Sequence, residues 1–301
     1  MVVSATINKY SYITARQLPP FFEYKHRIRY FEQEQAMELD QIRHPSVRES
    51  AKFLNFQGGL EVVHNADLPA RSGLGSSSSF TVGMLQALRA LQGYMPTKRE
   101  LARDAIHVEQ NMIGENVGSQ DQVAAAFGGI NLIRFGGSED FAVDPITISS
   151  SRLEELSSSL LLIFTGFART ASEVAEEQVA NISSNVASLT AISRIAQDGL
   201  DLLTNPTRPI TQIGELLDEQ WSHKKTLGSG VTTGAVEDIY DRGKRAGAIG
   251  GKLLGAGGGG FMLFCAAPDR QPAILEALGE KMAVPFRFEN SGSSVVYFSH
   301  D

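Results

Sequence analysis

Apolar residues recur along the chain at two different periods, and each period predicts its own kind of element. Alternating β-branched and aromatic positions over residues 2–15 (Val2, Val3, Thr6, Ile7, Tyr10, Tyr12, Ile13, Thr14) predict a strand that starts at the first residue. Residues 25–31 predict a short second strand, and residues 59–64 a third that ends at Asn65. Helical spacing takes over at residues 46–55, after His44-Pro45, and returns at Phe80, Val82, Met84, Leu85, Leu88 and Leu91. Thr97, with Glu100 three residues on, is a capping box for a helix that runs to about residue 112.

A short helix is expected over 119–126, and Gly128-Gly129 then leads into a strand at Ile130–Phe135. Residues 136–158 are rich in Ser, Gly and Asp, which marks the best candidate for a domain boundary. The run Leu160-Leu161-Leu162-Ile163-Phe164 predicts a buried strand, and three or four helices fill 170–248, interrupted at Pro206 and Pro209. The chain is expected to end as strand (260–266), helix (269–281), strand (284–289) and strand (294–299). No repeat of fixed period is visible.

Composition narrows the class. Of 301 residues, 42% are hydrophobic and 20% charged, which is ordinary for a globular chain that folds around its own core. The net charge of -7 argues against nucleic acid and anionic membranes as partners, so an anionic ligand must find a local positive pocket. The opening residues lack a basic and apolar leader, and no run of about eighteen apolar residues exists, so no membrane span is expected. The single cysteine, Cys265, excludes a disulfide framework and reads as a buried strand thiol, with a reducing cytoplasm as the expected compartment.

Two glycine-rich loops carry candidate chemistry. In Pro69-Ala70-Arg71-Ser72-Gly73-Leu74-Gly75-Ser76-Ser77-Ser78, the glycines let the backbone approach an anion and the serines stand where a helix begins. The loop is either a phosphate cradle or a flexible turn with an N-cap serine. Its spacing fits neither G-x-G-x-x-G nor G-x-x-x-x-G-K-[ST]. The second loop, residues 252–260, places four glycines before a buried strand, which reads either as a close backbone approach or as a sharp strand entry.

Taken in order, the pair resembles the phosphate-loop motif and the C-terminal glycine-rich motif of the GHMP kinases. A third segment, Glu109 through Gln122, is similar to the acidic segment of that family. The resemblance implies an α+β fold of two domains. Residues 1–150 would form the N-terminal domain with a left-handed β-α-β unit, and residues 151–301 a ferredoxin-like C-terminal domain, with ATP bound between the halves. It implies that Pro69, Arg71, Gly73, Leu74, Gly75, Ser76, Ser77 and Ser78, with Gly257 and Gly258, hold the nucleotide. Ser77 and Glu109 would hold Mg²⁺, and Asp121 would be the catalytic carboxylate facing the acceptor hydroxyl. From the residues alone, Glu109 reads rather as a solvated helix residue, and Asp121 as an acid satisfying a helix dipole.

Several stretches, among them Leu18-Pro19-Pro20-Phe21-Phe22, His44 through Glu49, Thr165 through Arg169 and Glu289 through Ser293, resemble the subgroup acting on D-glycero-D-manno-heptose 7-phosphate. That implies phosphorylation of the anomeric hydroxyl to a 1,7-bisphosphate. A sugar phosphate needs cations, and Arg169, Lys224 and Lys225 are candidates, or else surface and helix-terminal charges. Trp221 reads as a packing residue rather than a sugar platform, and the histidines form no metal constellation. The family's first motif, Pro-x-Arg-x-Ser-Phe-x-Gly-Gly-Gly-Thr-Asp, is absent and would lie before residue 1. Its absence is read as a truncated or misassigned start, or as an impaired chain, and would leave the first strand an unpaired edge. The competing readings are another GHMP small-molecule kinase (a different sugar-1-kinase or a mevalonate-type enzyme) and a non-catalytic ATP-binding relative. A homodimer is open as the assembly.

Overall fold

The computed structural model describes residues 1–136, 140–167, 171–279 and 281–299. Its contacts divide into two compact units. The first comprises Met1–Asn8, Ala70–Leu74 and Ile130–Phe288; the second comprises Lys9–Pro69, Gly75–Gly129 and Glu289–Asp301. This division differs from a single cut after residue 150. The reason is strand pairing: β1 (Val2–Ala5) hydrogen-bonds β6 (Ile130–Phe135), which pairs in turn with β7 (Phe141–Pro145). The stretch expected as a boundary, 136–158, thus supplies β7 and α5 (Ser150–Ser158) to the first unit.

The second sheet of the first unit has the order β8 (Leu160–Phe164), β10 (Phe261–Cys265), β9 (Gly250–Leu253), antiparallel throughout. Strand alternation sends Ile163, Met262, Phe264 and Leu253 into one core. There they meet Val236 and Ile239 of α9 (Gly234–Arg245), Ile274 and Leu278 of α10 (Gln271–Leu278), and Trp221 of α8 (Ile213–Lys225). Trp221 is fully buried, as a packing residue should be. Cys265 is buried in its strand as expected, and burial pushes its thiol up to about 11. α6 (Ala171–Ala180) and α7 (Val186–Thr204) complete the helical run, which breaks at Pro206 and Pro209.

The sheet of the second unit has the order β2 (Ser11–Gln17), β5 (Leu60–Ala66), β3 (His26–Arg29), β4 (Gln33–Ala36). Val47 and Ala51 of α1 (Pro45–Phe53) and Phe80, Met84 and Leu88 of α2 (Ser76–Leu91) pack on Ile28, Leu60 and Val62. Each such fully buried aliphatic or aromatic side chain contributes roughly 1.5–3 kcal/mol. α3 (Lys98–His107) opens with the expected Thr97 capping box. It then passes into a π-helical turn, Val108–Ile113, which ends at left-handed Gly114. α4 (Gln120–Phe127) follows. Among the described residues, no helix is long and apolar enough to cross a membrane.

Three expectations need correction, and one strand went unforeseen. Residues 2–15 are two strands in two sheets, because Asn8 leaves the ladder to exchange hydrogen bonds with the backbone of Arg287. Residues 25–31 hold the expected strand, β3, which proves to be the first arm of a hairpin whose second arm was not expected. The second, Gln33-Glu34-Gln35-Ala36, is too polar to announce itself, and its buried Glu34 accepts from the backbone N–H groups of Arg43 (2.6 Å) and His44 (3.0 Å). Residues 284–289 make single bridges, Phe288 with Ile7, and Ala283 just before them with Ile163, rather than a strand; Pro285 offers no N–H to a ladder. Residues 294–299 form no ladder among the described residues, and Val296 and Tyr297 are exposed.

His44, the N-cap residue of α1, packs its ring on Phe80 (4.6 Å between centroids) and Tyr30 (4.9 Å), and its Nδ1 is buried without a partner. Burial lowers this imidazole to about 4. The folded state therefore holds His44 neutral, while the unfolded chain protonates it near 6.5. Stability is complete above about pH 6.5 and falls as pH drops toward 4. Urea unfolding of His44→Phe should lose about one proton of pH dependence, ~1.4 kcal/mol per pH unit near pH 5. An unchanged slope would assign the titration elsewhere.

Candidate active site

The chain enters α2 through Gly75, held left-handed at φ +67, and no side chain caps the helix. The first N–H groups of α2 receive no acceptor from the N-cap residue, and they lie at the positive end of the helix dipole. Such a start suits a phosphate. Asp121, in the first turn of α4, lies against it. A Cβ on Gly75 would stand 3.2 Å from Cβ and Cγ of Asp121 and 3.3 Å from its Oδ2. The loop before α4 is tied down by Gln110, whose Nε2 donates to Val117 O (2.9 Å) and Ser119 Oγ (3.1 Å).

Glu109 sits on the π-helical turn and is only 1% exposed. Its Oε2 accepts from Ser78 Oγ at 2.9 Å and from Gln122 Nε2. Its Oε1 is buried and has no hydrogen-bond partner. Burial pushes the carboxyl up, while the side chains of Thr81, Ser78 and Gln122 pull it back down. A carboxylate so placed needs a cation or more donors to stay ionised. The residues fit Mg²⁺: the donorless oxygen is hard, and the hydroxyl of Ser78 stands on the other oxygen of the same carboxylate. The hydroxyl that meets Glu109 belongs to Ser78. Ser77, paired with Glu109 in the sequence reading, is exposed, about 100° around the helix. Among the described residues, no group of three or more His, Cys, Asp or Glu gathers as a metal site, so any metal here would rest on a carboxylate, hydroxyls and the ligand's own oxygens.

In the first unit the two glycine-rich loops meet backbone to backbone. A Cβ on Gly73, at φ +80, would lie 2.7 Å from Leu254 O and 3.3 Å from Gly255 Cα. Gly255 faces Gly73 in return, and a Cβ on Gly260 would strike the Ser72 carbonyl. Gly257 packs on Val231, and Gly258 N donates to Val231 O at 2.9 Å. The four-glycine run therefore reflects close backbone approach. Arg71 adopts a left-handed φ of +58 and is exposed, as is Pro69; Leu74 and Ser76 are half-buried.

Among the expected phosphate cations, Arg169 lies outside the described residues. Lys224 Nζ donates to the carbonyls of Leu253 (3.3 Å) and Gly255, which ties it to the second glycine loop. Lys225 is turned to Glu237 at 3.2 Å and lies over the rings of Trp221 and Tyr240. Sequence reasoning missed Gln122, since no spacing signal distinguishes it from the acid before it.

The model of the GHMP kinases N terminal domain matches residues 45–129, and that of the GHMP kinases C terminal matches residues 203–284. The D-glycero-alpha-D-manno-heptose 7-phosphate kinase of Campylobacter jejuni is 31% identical over 230 residues, 75% of this chain and 68% of that protein. The chain belongs to the GHMP kinases. It is thus an ATP-dependent phosphotransferase acting on a hydroxyl group, of the α+β two-domain fold expected. The kinase is also 31% identical over 239 residues to the L-fucokinase/L-fucose-1-P guanylyltransferase of Bacteroides fragilis, of which it spans 24%. The crystal structure of a D-glycero-D-manno-heptose 1-phosphate kinase from Bacteroides thetaiotaomicron shares the fold, with a TM-score of 0.76 over 96% of this kinase and 87% of that chain, at 24% identity.

The glycine contacts make a stability prediction. Gly58, at φ +89, has nothing within 4 Å of a Cβ, whereas Gly73 faces backbone. Gly58→Ala should cost about 1 kcal/mol and Gly73→Ala about 3 or more, read as urea midpoints. Equal midpoints would mean that the loops separate freely.

Proposed function

We propose that this kinase phosphorylates the anomeric hydroxyl of a heptose 7-phosphate to give the 1,7-bisphosphate. The observation that carries the reading is the juxtaposition of Asp121 with the uncapped start of α2, beside a buried Glu109 with one donorless oxygen. The heptose phosphate as substrate is supported by the 31% identity to the Campylobacter jejuni enzyme. The family matches at 45–129 and 203–284 fall on either side of residue 150, which supports 1–150 and 151–301 as the two family domains.

In this reading the phosphate loop and the free amides opening α2 hold the phosphate tail of ATP, with Ser76, Ser77 and Ser78 adding hydroxyls. Glu109, with the hydroxyl of Ser77 or Ser78, would hold Mg²⁺, which when bound screens the phosphate charge. Asp121 accepts the proton of the acceptor hydroxyl, whose oxygen bonds the γ-phosphorus as the bond to the β-phosphate oxygen breaks and ADP leaves. Arg169 and Lys224 are the proposed holders of the 7-phosphate. Lys225 joins them only by releasing Glu237. A cytoplasmic compartment, where ATP and sugar phosphates are at hand, and a homodimeric assembly complete the proposal.

The similarity to the fucokinase favours a second reading, a different sugar-1-kinase. A coupled ADP assay over heptose 7-phosphate, L-fucose and mevalonate separates the two. Heptose 7-phosphate should give the highest kcat/KM, and preference for L-fucose would transfer the assignment. Asp121→Ala should keep nucleotide affinity yet lower turnover by at least about 100-fold. Wild-type turnover would remove Asp121 from the chemistry.

A further inference from the structure

Two buried acceptors of the second unit that belong to one hydrogen-bonded cluster have no partner. Glu109 Oε1 and Gln122 Oε1 both lack a hydrogen-bond partner. Gln122 is fully buried, and its Nε2 donates to the same Glu109 oxygen that Ser78 Oγ contacts at 2.9 Å. A purely structural network would close on itself, because an unsatisfied buried acceptor costs about 1–3 kcal/mol. This cluster instead sets Ser78 Oγ and Gln122 Nε2 on the same Oε2 and leaves Glu109 Oε1 and Gln122 Oε1 without a partner.

The structure assigns Gln122 as a positioning residue for the metal, one that fixes the Glu109 carboxylate so that Oε1 is presented to a divalent cation. The inference rests on the reading of Glu109 as the Mg²⁺-holding carboxylate. The backbone supports the division of labour. Gln122 follows Asp121 in the first turn of α4, so one helix start carries both the acid at Gly75 and the amide that locks Glu109. Glu109 is carried on a π-helical turn, and such turns widen the helix and are frequent at functional sites. Ser78 supplies the second donor from the first turn of α2. Two donors on one oxygen leave the carboxylate little freedom to rotate, so the free oxygen has a fixed direction. Partners one shell out from a metal typically matter by about 10–100-fold in its affinity.

The test uses Gln122→Met, which keeps length and loses the amide, beside Gln122→Leu, which keeps most of the volume and loses both polar atoms. Mn²⁺ binding in the presence of ADP is read by the loss of the free-ion paramagnetic resonance signal, and Mg²⁺ activation is measured in parallel. Both variants should weaken Mn²⁺ by about 10–100-fold and raise the Mg²⁺ needed for half-maximal rate by a similar factor. Saturating Mg²⁺ should recover most of kcat, a rescue that a merely structural role would not give. Metal-free ADP affinity should stay unchanged, which also reports that each variant is folded. Wild-type Mn²⁺ affinity in the folded variants overturns the assignment. If Glu109→Gln also keeps wild-type Mn²⁺ affinity, the metal reading of Glu109 fails instead.

Discussion

A carboxylate out of reach of water must be answered by donors or by a cation, and Glu109 is answered only by half. Ser78 and Gln122 load one of its oxygens, and the other faces no partner in the protein. Bringing the acid to that point takes a π-helical turn in place of regular helix, a capped α3 before it, and a glycine to stop it. Leaving such a group uncompensated would destabilise the unit, since burial alone drives a carboxyl toward its neutral form. The arrangement makes sense when the ligand that completes it is part of the working state, as it is for an ATP-dependent kinase.

Gly75 acts as the second constraint. Its left-handed backbone lets the chain enter α2 without a side-chain cap, and its missing Cβ lets Asp121 close on the helix start. One small residue thereby serves both the uncapped helix start and the acid packed against it, the two groups to which the proposal gives the phosphate tail and the acceptor hydroxyl. Elsewhere, in the first unit, glycines do a different task. Gly73, Gly255 and Gly260 let two loops distant in sequence lie backbone on backbone, where any side chain would force them apart. The same composition thus answers two separate steric demands.

Much of this was legible beforehand where a local rule governs. The Thr97 capping box, the helix opening after Gly75, the buried strand at Leu160–Phe164 and the packing role of Trp221 all follow from spacing and neighbouring chemistry. What escaped depends on partners far along the chain. Gln33-Glu34-Gln35 pairs as a strand because Glu34 finds backbone donors at Arg43 and His44. The N-terminal run splits in two because Asn8 prefers the backbone of Arg287. At the site, the two acids could be named from the motif, but the amide of Gln122 and the choice of Ser78 over Ser77 as the partner of Glu109 depend on helix rotation and a π turn. Lys225, read as a phosphate cation, proves to be paired with Glu237.

The central claim is that the bare oxygen of Glu109 meets a divalent cation at the start of α2. A crystal structure of the protein with Mn²⁺ and ADP tests it most directly, because anomalous scattering locates the metal without ambiguity. The account predicts a peak within bonding distance of Glu109 Oε1, with phosphate oxygens against the amides of the first turn of α2. A metal bound only by the nucleotide and remote from Glu109, with Oε1 still bare, would contradict it.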